Sequence, residues 1–273
     1  MFRPTLCAGA AAAPWRITLV VEAHAGEPID ERVARLHALL KVASKSDIQT
    51  YDERLNMSWI YHDSALEGVV YSPEELHAAV SDRVASDSAL IPAYDEIRHH
   101  MNALRLVRDL GQKKKLSITL EVVKEIAVEL APDDVESKGQ PKYRKDMPVH
   151  RLYFHDITTP DKISYKMRNF IQWIAAPETK RSMHPLRLGA KAHAQLLHIY
   201  PFAKHSGKVA RLVMNLVLLS EGYPPVVIHA TERQRYYEAL KAGDEAVSVL
   251  VNEAMSASVE SSIRWLESKN PTA

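Results

Sequence analysis

The chain has 273 residues with 35 basic and 34 acidic side chains, a balance that gives no global electrostatic attraction to nucleic acid or an anionic membrane. Its one cysteine, Cys7, excludes an internal disulfide and a thiolate metal cluster, which fits a reducing, cytoplasmic setting. The most apolar run, 212–219, is far shorter than the roughly 20 residues a membrane-spanning helix needs.

Residues 1–14 place Arg3 ahead of small apolar residues, the outline of a signal peptide. The apolar part is short and broken by Pro4 and Gly9, so a flexible start is expected instead. Residues 15–23 are rich in β-branched side chains and predict one strand. Residues 28–46 have Ile29, Val33, Leu36, Leu39 and Leu40 at helical spacing. Residues 55–66 predict a helix that stops near Gly68. Ser72-Pro-Glu-Glu is a helix start with an N-cap serine and a proline in the first turn. Residues 90–110 predict a long amphipathic helix with Tyr94, Ile97, Met101, Leu104 and Val107 inward. Residues 117–130 predict another. The polar stretch 131–147 predicts an exposed loop, and 149–157 a short hairpin or extended flap. Helices are then expected at 161–176, 184–198, 208–220, 231–242 and 245–268, with Gly222-Tyr-Pro-Pro as a breaker. The fold class is mainly α with a small β element. A chain this long can form one domain with an N-terminal extension or two small domains.

Few of the 13 histidines suggest metal chemistry. His99 and His100 are neighbours on a helix and cannot both face one ion. His193 and His198 are not four apart and no His-Glu-x-x-His occurs, so structural hydrogen bonds are expected of them. Asp133, Asp134 and Glu136 lack calcium-loop spacing. Arg233, Arg235 and Lys241 read as a solvated face over the aromatic pair Tyr236-Tyr237, and a ligand-facing role is left open for that helix.

The chemistry concentrates in Tyr200-Pro-Phe-Ala-Lys-His-Ser-Gly-Lys-Val-Ala-Arg211. A glycine-containing turn feeding a helix start presents free N–H groups and a positive dipole end to an anion. Lys204, Lys208 and Arg211 add cations. A plain helix start with solvated lysines is the alternative on these residues alone.

This stretch resembles the signature of the Fic (Fido) family, His-Pro-Phe-x-Asp/Glu-Gly-Asn-Gly-Arg-x-x-Arg. Pro201, Phe202, Gly207 and Arg211 fit that frame. The resemblance runs over about 50–267, including His184-Pro185, the segment 214–228 and the helix from Tyr236. Tyr143-Arg144 and Val149-His150-Arg151 resemble the approach to the family's target-orienting flap, here Tyr153 to Pro160, with Tyr153 and His155 as flap residues. Asp63-Ser-Ala-Leu-Glu-Gly68 is similar to the family's inhibitory motif, with Asp63 at its Ser/Thr position. The resemblance implies a Fido-type helical core at 50–267 behind an N-terminal strand and helix at 1–49, with a tail at 268–273. It also implies ATP and Mg²⁺ binding, AMP transfer to a protein hydroxyl, and pairing of Glu67 with Arg211 to block seating of the γ-phosphate.

The departures carry chemical consequences. Tyr200 stands at the general-base position, and a phenol of pKa about 10 is a poor base at neutral pH. Lys204 stands at the metal-binding carboxylate and cannot ligate Mg²⁺, which needs oxygen. His205 replaces a glycine, Ser206 an asparagine, and Lys208 an arginine, losing the bidentate fork. The expectation is an altered Fic-type protein that binds a nucleotide or another phosphate-bearing ligand and carries out metal-independent transfer or elimination. Lys204, Ser206, Gly207, Lys208 and Arg211 would hold the anion. His205, then Tyr200, with Lys204 in place of the metal, would do the chemistry, and Glu67 would regulate. No metal site, nucleic acid or membrane is expected. A protein target and self-association are left open. An inactive sensor or interaction module is one alternative, and a protein adenylyltransferase is another.

Overall fold

The computed structural model describes residues 27–81, 87–113, 116–135, 139–148 and 156–269. The strand expected at 15–23 and the flap residues Tyr153 and His155 lie outside these residues. The described helices are α1 (Ile29–Val42), α2 (Lys45–Leu66), α3 (Pro73–Val80), α4 (Ile91–Gly111), α5 (Leu120–Leu130), α6 (Ile163–Ala175), α7 (Pro177–Ser182), α8 (Pro185–Ile199), α9 (Ser206–Ser220), α10 (Arg233–Ala242) and α11 (Asp244–Lys269). Isolated antiparallel bridges join Val135 to Pro141 and Tyr143 to Phe202. Among the described residues no helix is long and apolar enough to cross a membrane.

Helix α9 is the axis of the molecule. Every residue from Ser206 to Leu218 is buried, and the polar stripe of Lys208, Arg211 and Asn215 is met by partners inside the fold. Helices α8, α4 and α5 pack around it, and α11 backs the bundle against α1, α8 and α10. The approach of α4 to α9 is close enough that a Cβ on Gly111 would stand 2.6 Å from Leu219 Cβ. Asn215 sits within this apolar helix because its amide has a backbone to serve. It donates to the Val226 carbonyl at 3.0 Å and accepts from the Val226 N–H at 2.7 Å. That pair ties the extended return segment to α9 and satisfies a buried amide that would otherwise be costly.

Local signals explain several helix ends. The Ser72 hydroxyl accepts from the Glu75 N–H at 3.1 Å, and Glu75 reaches back to the Ser72 N–H at 2.7 Å. This reciprocal cap is worth roughly 1 kcal/mol. Ser44 caps α2 by accepting from the Asp47 N–H, so α2 begins ten residues earlier than its apolar spacing suggests. It therefore runs through the 49/50 boundary expected from sequence. Thr119 accepts from the Val122 N–H, so α5 starts at Leu120 rather than at 117. Ala176 is extended, with ψ 127, and Pro177 opens a separate short helix, α7. The loop expected to be exposed at 131–147 is not exposed throughout: Arg144 is only 5% accessible.

Candidate functional site

Helix α8 ends where Tyr200 turns into the left-handed region at φ 47. A non-glycine residue there is strained unless its surroundings hold it. Arg144 supplies the hold. Its Nε donates to the Tyr200 carbonyl at 2.6 Å and its Nη1 to the Asp146 carbonyl at 3.1 Å. Its Nη2 donates to the carbonyls of Thr158 and Ile199. The Arg144 N–H donates to the Pro201 carbonyl at 2.9 Å. One guanidinium thus ties the end of α8 to Asp146, ahead of the expected flap, and to Thr158, within its last residues. The sequence signal for Arg144 is an arginine in an otherwise solvated stretch, which does not reveal that its partners are carbonyls.

The turn into α9 is closed by Ser206. The Phe202 N–H donates to Ser206 Oγ at 2.8 Å, and Oγ donates back to the Phe202 carbonyl at 2.8 Å. His205, also left-handed at φ 57, is the last residue before α9. Gly207 follows in the first turn. A Cβ there would lie 2.1 Å from Glu67 Oε1, so the carboxylate occupies the space that a side chain would take. Glu67 has therefore brought a negative charge to the N-terminus of α9, where dipole and free N–H groups favour one.

Arg211 lies one turn further along, 2% exposed. Its Nε donates to Asp63 Oδ1 at 2.7 Å and its Nη2 to the Asp63 carbonyl at 3.1 Å. Nη2 also meets Glu67 Oε1 at 3.1 Å, and Nη1 donates to the Tyr236 hydroxyl at 3.2 Å. That hydroxyl is 2.9 Å from His193 Nε2, and His198 Nδ1 is 3.0 Å from the Asp156 carbonyl, so both histidines make the structural contacts expected of them. The Glu67–Arg211 pairing implied by the family resemblance is present in this geometry.

Lys208 departs from expectation. Its ammonium is buried and 2.7 Å from Glu96 Oε1, so it is committed to an ion pair with α4. Sequence reading missed Glu96 because the partner lies on a helix distant in the chain. Lys204 and Ala203 are exposed, and Tyr200 is 4% accessible. The structure thus brings Glu67, Gly207 and Arg211 together, keeps Ser206 as the loop's internal tie, and turns Lys208 inward.

Burial would raise the Asp63 carboxyl, but Arg211 and His100 hold it below the ordinary range. Burial would likewise raise Glu96, and Lys208 holds it low. Burial, with Lys208 nearby, pushes His205 from 6.5 down to about 4, so its imidazole is neutral at pH 7. His62 is also lowered to about 4, by burial and the stacked His229 ring 4.2 Å away. A histidine whose folded pKa is depressed stabilises the fold above its unfolded pKa and loses that contribution as pH falls toward the folded one. Stability is therefore expected to fall between pH about 6.5 and about 4. Urea unfolding at intervals across that window should show the decline. His205→Asn, which tolerates the left-handed backbone, should flatten it.

At the position where the family resemblance places a metal-ligating carboxylate, Lys204 offers only N–H donors, which cannot ligate Mg²⁺. A cavity of about 390 Å³ lies elsewhere, between segment 227–235 and α11, lined by Val227, Ile228, Arg235, Leu250 and Ala254 among others.

The helical bundle around α9, with a tied, glycine-bearing turn and a glutamate paired to its arginine, matches the Fido-type helical fold. Residues 117–218 match the Fic/DOC family model, and the chain belongs to the Fic family. It is 29% identical over 215 residues to a protein adenylyltransferase Fic of Culex quinquefasciatus, covering 79% of this chain and 41% of that protein. It is 30% identical over 186 residues to the protein of the same name in Drosophila grimshawi, covering 68% and 38%. The chain thus spans about two fifths of the length of the curated relatives it matches. In structure it is similar to a Fic domain containing signaling protein from Bacteroides thetaiotaomicron, with a TM-score of 0.75 at 19% identity over 90% of this chain and 98% of that one. Fic-1 of C. elegans, residues 134–508, aligns with a TM-score of 0.72 at 21% identity over 88% and 73%. These structural likenesses bear on the fold.

Proposed function

We propose that this Fic-family protein binds a phosphate-bearing ligand at the N-terminus of α9, and that Glu67 holds the site shut until displaced. The observation that carries the reading is the Glu67 carboxylate seated over Gly207 and paired with Arg211. A carboxylate in that place is a stand-in for the anion the cradle is built to take. Gly207 and Arg211 would hold the phosphate, with exposed Lys204 supplying the charge that a metal supplies elsewhere. Binding is then independent of Mg²⁺. Names of the curated relatives support group transfer of the Fic type. The loop residues favour transfer by an altered route over AMP transfer through Tyr200, with His205 as the candidate proton acceptor, a base that burial weakens.

A second reading rests on Lys208. Its commitment to Glu96 removes one of the cations the loop offers, which favours a ligand sensor without turnover. Thermal-shift titration with ATP and with CDP-bearing ligands, in EDTA and in Mg²⁺, tests the binding proposal. Glu67→Ala is expected to show a ligand-linked rise in Tm that EDTA leaves intact and that Lys204→Ala weakens. No shift with any ligand in either Glu67→Ala or the wild type overturns it and leaves an interaction module. Release of pyrophosphate or another leaving group by Glu67→Ala separates the enzyme from the sensor.

A further inference from the structure

The clamp depends on how the last turn of α2 is held, and that hold comes from the start of α10. The Leu66 carbonyl accepts from Arg233 Nε at 3.0 Å and from the Tyr237 hydroxyl at 3.0 Å. Two donors fill both lone pairs of one carbonyl. This carbonyl belongs to the peptide plane joining Leu66 to Glu67, and that plane carries the Glu67 Cα. Fixing its oxygen fixes the direction in which Glu67 leaves the backbone. The Arg233 guanidinium lies 5.3 Å over the Tyr237 ring, which restrains the arginine in turn. One turn earlier, His62 Nδ1 accepts from the Ala230 N–H at 3.1 Å and its ring stacks on His229. Beyond Glu67 the chain passes straight into Gly68 at φ 94, a conformation that glycine adopts freely. The glutamate therefore sits between a pinned peptide and a permissive turn.

We infer that Arg233 and Tyr237 form a latch that positions Glu67 over Gly207, so that segment 229–237 sets how often the cradle is open. This rests on the reading of Glu67 as the group that shuts the site. Neither residue is assigned contact with the ligand. Both act through the Leu66 carbonyl. Loss of either donor frees the peptide plane and raises the open fraction, and apparent affinity rises in proportion to that fraction while the closed form predominates.

The test uses ATP in EDTA as the probe, with affinity measured by calorimetry. Tyr237→Phe, Arg233→Met and Arg233→Lys are each made in the wild type and in Glu67→Ala. Tyr237→Phe and Arg233→Met are expected to tighten ATP binding about five-fold each, the effect of one net hydrogen bond on an equilibrium. Arg233→Lys, which keeps a donor, should return toward wild type. In the Glu67→Ala background none of the three should change affinity, because nothing remains to position. Faster amide exchange at 62–68 in Tyr237→Phe should accompany the gain. A fall in Tm with unchanged affinity would make the contacts merely structural and overturn the latch. So would an affinity change that persists without Glu67. If Glu67→Ala itself binds ATP no better than wild type, the clamp fails and the latch with it. If Glu67→Ala gains affinity and the latch variants do not, the latch alone fails.

Discussion

Arg211→Met is expected to lower the unfolding free energy by about 3–5 kcal/mol, the usual cost of removing one partner from a buried ion pair. Arg211 and Asp63 are each 2% exposed and joined at 2.7 Å. Methionine fills much of the volume but leaves the Asp63 carboxylate without its guanidinium. His100 cannot replace it: its Nε2 is 3.4 Å from Asp63 Oδ2, and burial holds its imidazole below the ordinary pKa. The pH dependence should change sign with the substitution. In the wild type Asp63 is held below its unfolded pKa, so its contribution is present above the unfolded value and lost as pH falls through the folded one. Without Arg211 the largest lowering influence is gone and only His100 opposes burial, so the folded pKa rises. The variant's Asp63 then favours folding at acid pH and disfavours it as pH rises. Urea denaturation of both proteins from pH 3 to pH 8 reads this directly. A constant difference between them across that range would refute the account.

Gly207→Ala is expected to abolish phosphate-ligand binding while costing about 1–3 kcal/mol of stability, the range for overpacking a filled site. The new methyl would stand 2.1 Å from Glu67 Oε1 and 3.2 Å from Arg211 Nη1. Glu67 is the end of a flexible side chain, so it moves first, but moving breaks its pairing with Arg211. The methyl then occupies the space in which the backbone meets an anion. Two distinct outcomes follow for the double variant with Glu67→Ala. Stability should recover, because the clash is gone. Binding should not, because the methyl remains. Calorimetric titration and thermal unfolding of the single and double variants separate these effects. Recovery of binding in the double variant would show that Gly207 serves Glu67 alone and not the ligand.

These two expectations lean on different kinds of information. Helix positions were written locally. Ser72-Pro-Glu-Glu builds its own cap, and apolar side chains dominate the run after Gly207, but α9 is buried on every side because Lys208, Arg211 and Asn215 find partners within the fold. The signature frame of Pro201, Phe202, Gly207 and Arg211 marked the loop and the start of α9 through its resemblance to the family pattern. The helix starts at Lys45 and Leu120 were less legible, since a capping serine or threonine is one polar residue among several and only the realised hydrogen bond selects it.

What the sequence by itself determined, then, is the helical class, the course of the loop and the residue types where it enters α9. Partnership was decided only by the tertiary structure. Lys208 reads as a phosphate ligand until α4 brings Glu96 to it. Arg144 reads as a solvated loop residue until the end of α8 presents its carbonyls. Asp63 and Glu67 share Arg211 because one turn of α2 places both against α9, and Arg233 and Tyr237 meet at Leu66 across a gap in sequence that no local pattern records. The physical reason is the same in each case. A charged or polar group buried in a core must find its complement wherever packing delivers one, and packing is a property of the whole chain.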